Sequence, residues 1–276
     1  MILWYNYSAN GGIGMMDISE CLKPDTMIYL TRDRDTKKGL FYKDEKPELF
    51  IKDFNHAEFI GEELCEIRNL RCAHYFLVGC GMYHLKRMAR YGEIDQYYKY
   101  KLASYDFKDS SKKYKSLAEY GIRDVDKFHA MLEKTPTAKN REELCHDMLE
   151  LLALDIYMGQ DDRTSNNVVF EIDNDQNIRL APLFDFEYSL NLNLTGNNNI
   201  QGFSDLIYLN DYKRIREFIK LYPEFEYMLK SYSNVDLCNL IYRTYSRHGL
   251  KVPDDKWRFY EEFEDDRNKV LKKIVR

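Results

Sequence analysis

Residues 155–188 read DIYMGQDDRTSNNVVFEIDNDQNIRLAPLFDFEY, and the fold turns on this stretch. Its opening residues finish a helix. Asn140 and Glu143 stand at capping-box spacing, and Leu144, Met148, Leu151, Leu152 and Ile156 recur on one helical face. Gly159 supplies the stop. A polar loop follows over residues 160–166. Residues 168–172 then read as a strand, Asp173-Asn174-Asp175 as a turn and residues 178–184 as the returning strand.

Pairing about that turn sets Asn167 opposite about Pro182. Asp185 then falls just beyond the open end of the hairpin, beside Asn167 and the loop that carries Asp161, Asp162 and Arg163. The hairpin thus gathers carboxylates and an amide at one point. A hard cation such as Mg²⁺ takes oxygen ligands from one or two carboxylates and from substrate phosphates. A carboxylate that stays off the metal can orient or deprotonate a hydroxyl. The same spacing also fits solvated loop acids around a turn. Nor does it choose between Asp161 with Asn166 and Asp162 with Asn167, which are equally far apart.

Upstream, residues 27–31 form a short apolar strand candidate. Leu40-Phe41-Tyr42, a turn over residues 43–47, and residues 49–54 give two hairpins in succession. Asn55 and Glu58 make a second capping box, opening a helix striped by Phe59, Ile60, Leu64 and Ile67. Residues 97–107 read as a further strand, and the polar residues 108–115 break the pattern, which places a lobe boundary there. From Tyr212 on, several helices are punctuated by Pro223 and Pro253. The fold class is therefore α+β, with a β-rich lobe over residues 1–107 and a helical lobe over residues 108–276.

Composition narrows the function. The chain has 276 residues, 44% hydrophobic and 32% charged, which is ordinary for a globular protein. Its longest apolar run, residues 148–158, is broken by Glu150 and Asp155 and is far short of the roughly 20 residues that cross a bilayer. The first ten residues lack the basic region and cleavage site of a signal peptide, so a cytoplasmic location is expected. Lys and Arg number 41 against 46 Asp and Glu, a net −5, which argues against nucleic acid as the direct ligand. The six cysteines include no C-x-x-C pair and are expected as reduced thiols.

The segment Gly159-Gln160-Asp161-Asp162-Arg163 with Asn167, followed by Leu180-Ala181-Pro182-Leu183-Phe184-Asp185, resembles the catalytic core of HipA-like serine/threonine kinases. It is closest to the compact bacterial CtkA type, and more distantly similar to phosphoinositide kinases with their D-R-x4-N loop. The likeness extends over about residues 27–190. It takes in the strands at Leu40-Phe41-Tyr42 and Leu49-Phe50-Ile51-Lys52, the helix at Gly61-Glu62-Glu63-Leu64-Cys65, and a hinge at Ser104-Tyr105-Asp106-Phe107.

The resemblance implies a two-lobed protein-kinase-like fold with ATP and Mg²⁺ as cofactors. It also implies transfer of the γ-phosphoryl group to a serine or threonine hydroxyl of a protein, with autophosphorylation as a further expectation. In the family the catalytic Asp directly precedes Arg, which selects Asp162 over Asp161. Asp162 then orients or deprotonates the hydroxyl, and Asn167 and Asp185 hold the metal. Lys52 neutralises the α- and β-phosphates with Glu62 as its ion-pair partner, and Tyr105, Asp106 and Phe107 line the nucleotide. An antitoxin-like partner is a further implication. The alternatives are a lipid or small-molecule kinase using the same site, and a non-catalytic nucleotide-binding module of a toxin–antitoxin pair.

Two departures stand out. Residues 31–39 occupy the phosphate-loop position with one glycine and no serine, and carry Arg32, Arg34, Lys37 and Lys38 instead. Asp185 is followed by Phe186-Glu187 where protein kinases have Phe-Gly. The Asn-rich residues 191–202 fall where kinases place an activation segment and also read as an ordinary loop.

Overall fold

The structure, a computed structural model, describes residues 3–7, 13–17, 39–43, 46–53, 55–79, 100–160, 162–190, 206, 209 and 211–275. It is a mixed α+β fold, and the chain divides into two compact units. One takes residues Met1–His56 and Ala73–Phe107, the other Ala57–Cys72 and Lys108–Arg276.

The first unit is a six-stranded antiparallel sheet. Its strands are β1 (Leu3–Tyr7), β2 (Ile13–Asp17), β3 (Gly39–Lys43), β4 (Lys46–Asp53), β5 (Tyr75–Gly79) and β6 (Tyr100–Tyr105), in the order β2-β1-β5-β6-β4-β3. The expected hairpin at residues 40–54 is β3–β4, with Leu40 opposite Phe50 and a register shift at Phe41/Tyr42. The strand expected at 97–107 is β6, which ends at Tyr105, two residues early; residues 97–99 lie outside the described residues. Leu102 and Ala103 on β6 are buried between β5 and β4. The strand candidate at residues 27–31 lies outside the described residues.

The second unit contains seven helices among its described residues. They are α1 (His56–Ile67), α2 (Val125–Glu133), α3 (Ala138–Met158), α4 (Tyr212–Leu221), α5 (Pro223–Tyr232), α6 (Leu237–Arg247) and α7 (Asp254–Ile274). Helix α1 follows the expected capping position at Asn55. Phe59, Ile60 and Leu64 are buried, whereas Ile67 at the helix end is 50% exposed. Although α1 follows β4 directly in the chain, its residues from Ala57 group with the second unit.

Helix α3 is the centre of this unit. Every residue from Met148 to Gln160 is buried, as befits a helix covered on all sides. It packs against α2, α5, α7 and β9 (Ile178–Leu180). The helix starts earlier than the Asn140–Glu143 box implies. Thr137 is the N-cap, accepting from the Asn140 N–H at 3.1 Å. The Asn140 side chain is committed elsewhere, donating to Ile178 O at 2.7 Å and accepting from Ile178 N at 3.0 Å. That double bond ties the helix to the hairpin of β8 (Val169–Ile172) and β9.

The hairpin forms about the expected turn, with Phe170 opposite Leu180 and Ile172 opposite Ile178, one residue from the expected register, and its returning strand ends at Leu180. β7 (Lys113–Ser116) adds an edge strand within residues read from sequence only as a polar break.

Candidate active site

Helix α3 ends in a tight reversal. Gly159 takes φ +61°, which glycine adopts without steric cost. Its N–H donates to Ile156 O at 3.4 Å and the Gln160 N–H to Asp155 O at 2.9 Å, the two bonds of a Schellman motif. The chain therefore leaves the helix in a fixed direction, straight into the loop over residues 160–167.

Arg163 anchors that loop from within. Its guanidinium meets Asp155 with Nη2–Oδ1 at 3.1 Å, and both side chains are 0% exposed. Nη1 donates to Phe184 O at 2.5 Å, and the group lies 4.8 Å from the centre of the Phe186 ring. Burial pushes the Asp155 carboxyl above its usual range, while the adjoining guanidinium pulls it back down. Asp162, next to this buried arginine, is held at the surface with its side chain exposed.

Opposite the loop, the segment leading to Asp185 is fixed strand-fashion. Leu183 bridges Cys72 in parallel, and its N–H donates to Arg71 O at 2.8 Å. The Arg71 side chain bonds Glu171 at 2.7 Å and the Leu180 carbonyl. Asp185 itself sits at φ +65°, a conformation that aspartate tolerates better than most residues and that surrounding contacts must enforce. Three loop side chains supply them. Arg163 takes the Phe184 carbonyl, Gln160 Nε2 donates to the Asp185 carbonyl at 2.9 Å, and Asn167 Nδ2 donates to Asp185 Oδ2 at 2.7 Å. Phe186 is fully buried against α1. A β-carbon at Gly61 would lie 2.5 Å from Phe186 Cγ, so only glycine fits where the helix crosses this ring.

Asp162, Asn167 and Asp185 are thus brought into one network. Asn167 and Asp185 are bonded side chain to side chain, and Gln160 links the main chains of Asp162 and Asp185. Asp161 lies outside the described residues, as do residues 31–38 of the phosphate-loop position and residues 191–202.

The remaining expected residues belong to other elements. Lys52 is on β4 opposite Leu102 in the first unit. Glu62 is half-buried on α1 in the second, where its neighbours Glu63 and Glu66 both reach Arg247 of α6. Tyr105 closes β6, exposed, with its ring 5.4 Å from that of Phe76, and half-buried Asp106 and Phe107 follow it to the unit boundary. Sequence reasoning assigned nothing to Gln160 or Asp155. It also missed the packing role of Gly61, although a glycine inside an amphipathic helix is a signal of close approach.

The donor set suits a hard divalent cation. An amide and a carboxylate, held side by side, offer oxygen ligands of the kind Mg²⁺ prefers. Among the described residues no group of three or more His, Cys, Asp or Glu side chains forms a self-sufficient metal cage. The same residues contain no helix long and apolar enough to cross a membrane.

No family model and no curated protein sequence matches the chain. Solved structures do. The proinflammatory kinase CtkA of Helicobacter pylori superposes with a TM-score of 0.59 at 13% identity, over 86% of this chain and 92% of that one. The HipA chain of the Shewanella oneidensis toxin–antitoxin complex with HipB and operator DNA matches with a TM-score of 0.51 at 11% identity, over 94% and 71%. At these identities the likeness is one of fold, and the chain has the kinase-like fold of CtkA and HipA.

Proposed function

We propose that the protein is an ATP- and Mg²⁺-dependent serine/threonine kinase of the HipA-like type, acting on a protein hydroxyl in the cytoplasm. The observation that carries this reading is the Asn167–Asp185 pair at 2.7 Å, locked to the loop that presents Asp162. Phosphoryl transfer asks a protein chiefly for positioning and charge neutralisation, with little covalent chemistry of its own. A loop tied down by a buried ion pair suits that demand.

In this reading Asn167 and Asp185 would hold Mg²⁺, which when bound neutralises charge on the ATP phosphates. Asp162 receives the attacking hydroxyl, orients it in line and takes up its proton. Its exposed side chain leaves it open to a macromolecular acceptor. Lys52 on β4 serves the α- and β-phosphates, supported by Glu62, and Tyr105, Asp106 and Phe107 serve the nucleotide base. These last assignments rest on the resemblance of the motifs and on the shared fold. An antitoxin-like protein partner belongs to the same proposal, because the similar HipA chain was solved together with HipB.

Mass spectrometry after incubation with ATP and Mg²⁺ tests the reading. Phosphate on serine or threonine of this chain or of an added protein supports it. Phosphate appearing only on added inositol lipid would replace it with a lipid kinase.

A further inference from the structure

Gln160 stands out because it breaks a rule of helix endings. In a Schellman motif the residue after the left-handed glycine usually makes an apolar contact with the helix position five residues before it. Here those two positions are Gln160 and Asp155, both polar, at 1% and 0% exposure. Burying an amide and a carboxylate where two apolar groups would serve costs free energy unless their hydrogen bonds are met. They are met by the loop and by the Asp185 segment, not by the helix. Asp155 takes Arg163, and Gln160 takes two main-chain groups.

The bonds of Gln160 run in opposite directions. Oε1 accepts from the Asp162 N–H at 3.2 Å, and Nε2 donates to the Asp185 carbonyl at 2.9 Å. Reversing the amide would set acceptor against acceptor and donor against donor, so its orientation is fixed by chemistry. One rigid planar group therefore spans the two residues whose carboxylates the proposed function separates into hydroxyl and metal duties. Asp162 is the one with little else to fix it. Its side chain is exposed, and its main-chain carbonyl accepts the short-range bond from Thr164 N at 2.9 Å.

We propose that Gln160 is a positioning residue. It sets the separation between Asp162 and Asp185, and so the alignment of the acceptor hydroxyl with the metal-held phosphates. This rests on the kinase reading of the same site. It predicts that the site tolerates loss of the bridge for binding nucleotide but not for transferring phosphate, because a displacement of about 1 Å in such geometry can cost about a hundredfold in rate.

The test uses Gln160→Met, which keeps length and bulk without hydrogen bonds, and Gln160→Glu. The glutamate still accepts from Asp162 N but donates to Asp185 O only when protonated. For Gln160→Met, turnover per folded molecule should fall about a hundredfold, while Mg²⁺–ATP affinity stays within about threefold. For Gln160→Glu, turnover should rise as pH is lowered toward protonation of the new carboxyl, a trend the unaltered protein lacks. Amide exchange at Asp162 should quicken about tenfold in Gln160→Met, with the buried amides of α3 unchanged.

Wild-type turnover in Gln160→Met would overturn the inference and leave the kinase reading standing. So would a loss of affinity equal to the loss of turnover, which would mean general collapse of the site. Absence of both nucleotide binding and transfer in the unaltered protein would overturn the kinase reading and this inference with it. Quickened exchange at Asp162 would then mark the bridge as a purely structural tie.

Discussion

Replacing Gly61 by alanine adds one methyl group at the point where α1 meets Phe186. That methyl would sit 2.5 Å from Cγ, 2.6 Å from Cδ2 and 2.9 Å from Cδ1 of the ring. Such distances require something to move. The ring cannot swing freely, since Phe186 is fully buried and lies under the Arg163 guanidinium. Overpacking of this kind costs about 1–3 kcal/mol. Alanine in a helix interior recovers up to about 1 kcal/mol relative to glycine. With the full recovery the net loss is up to about 2 kcal/mol, or a fall in melting temperature of up to about 8 °C for a chain of this size.

The displacement passes to Asp185, the preceding residue, held at φ +65° by its contacts. Mg²⁺-dependent ATP binding should weaken along with stability. A double-mutant cycle isolates the contact. Phe186→Ala alone should cost about 3–5 kcal/mol from the cavity it leaves. Adding Gly61→Ala in that background should be neutral or stabilising, because the ring is gone and the helix propensity remains. Thermal melts of the four proteins measure both steps. The same cost for Gly61→Ala in both backgrounds would refute the contact as its cause.

Two further outcomes follow from buried charge. Asp155→Asn leaves the Arg163 guanidinium buried without its anion, and breaking such a pair costs about 3–5 kcal/mol; denaturant unfolding with a loss below about 1 kcal/mol would contradict the anchoring role. Asp147 on α3 has its carboxyl raised, by burial first, with His146, Arg71 and Arg179 opposing. A raised folded value means that the carboxylate is disfavoured by folding above it, and that the penalty fades as pH falls toward the unfolded value near about 3.9. Asp147→Asn should therefore be more stable than the unaltered chain at pH 7.5, with the gain disappearing near pH 4. Melting curves showing a pH-independent gain, or a loss at pH 7.5, would count against that environment.

Much of the fold was legible where periodicity is strong. The α3 stripe, the Gly159 stop and the β8–β9 hairpin each carry a local signal, and together they bring Asn167 and Asp185 to one end of the hairpin. Local signals also misled. Asn140 and Glu143 fit a capping box, yet the Thr137 hydroxyl takes the cap because the Asn140 amide is satisfied by Ile178 across the fold. β7 was read as a break because Lys113 and Lys115 suit an exposed edge strand, where polarity says nothing about pairing. β1 (LWYNY), β2 (IGMMD) and β5 (YFLVG) do not alternate apolar with polar residues, so periodicity does not single them out.

At the site, the acids and the amide announce themselves by spacing, but the groups that hold them do not. Gln160 reads in sequence as one more polar loop residue. Its two hydrogen bonds exist only because α3, the loop and the Asp185 segment converge, a tertiary fact with no counterpart in residue order.

Calorimetric titration of ATP at two Mg²⁺ concentrations, into the unaltered protein, Asp162→Asn and Asp185→Asn, addresses the division of labour on which the account depends. Asp162→Asn should bind as the unaltered protein does, since its side chain is assigned to the hydroxyl. Asp185→Asn should bind about tenfold or more weakly, with part of the loss restored at the higher Mg²⁺ concentration, because an anionic metal ligand has become neutral. No binding by the unaltered protein at millimolar ATP and Mg²⁺, or an equal loss in both variants, would contradict it.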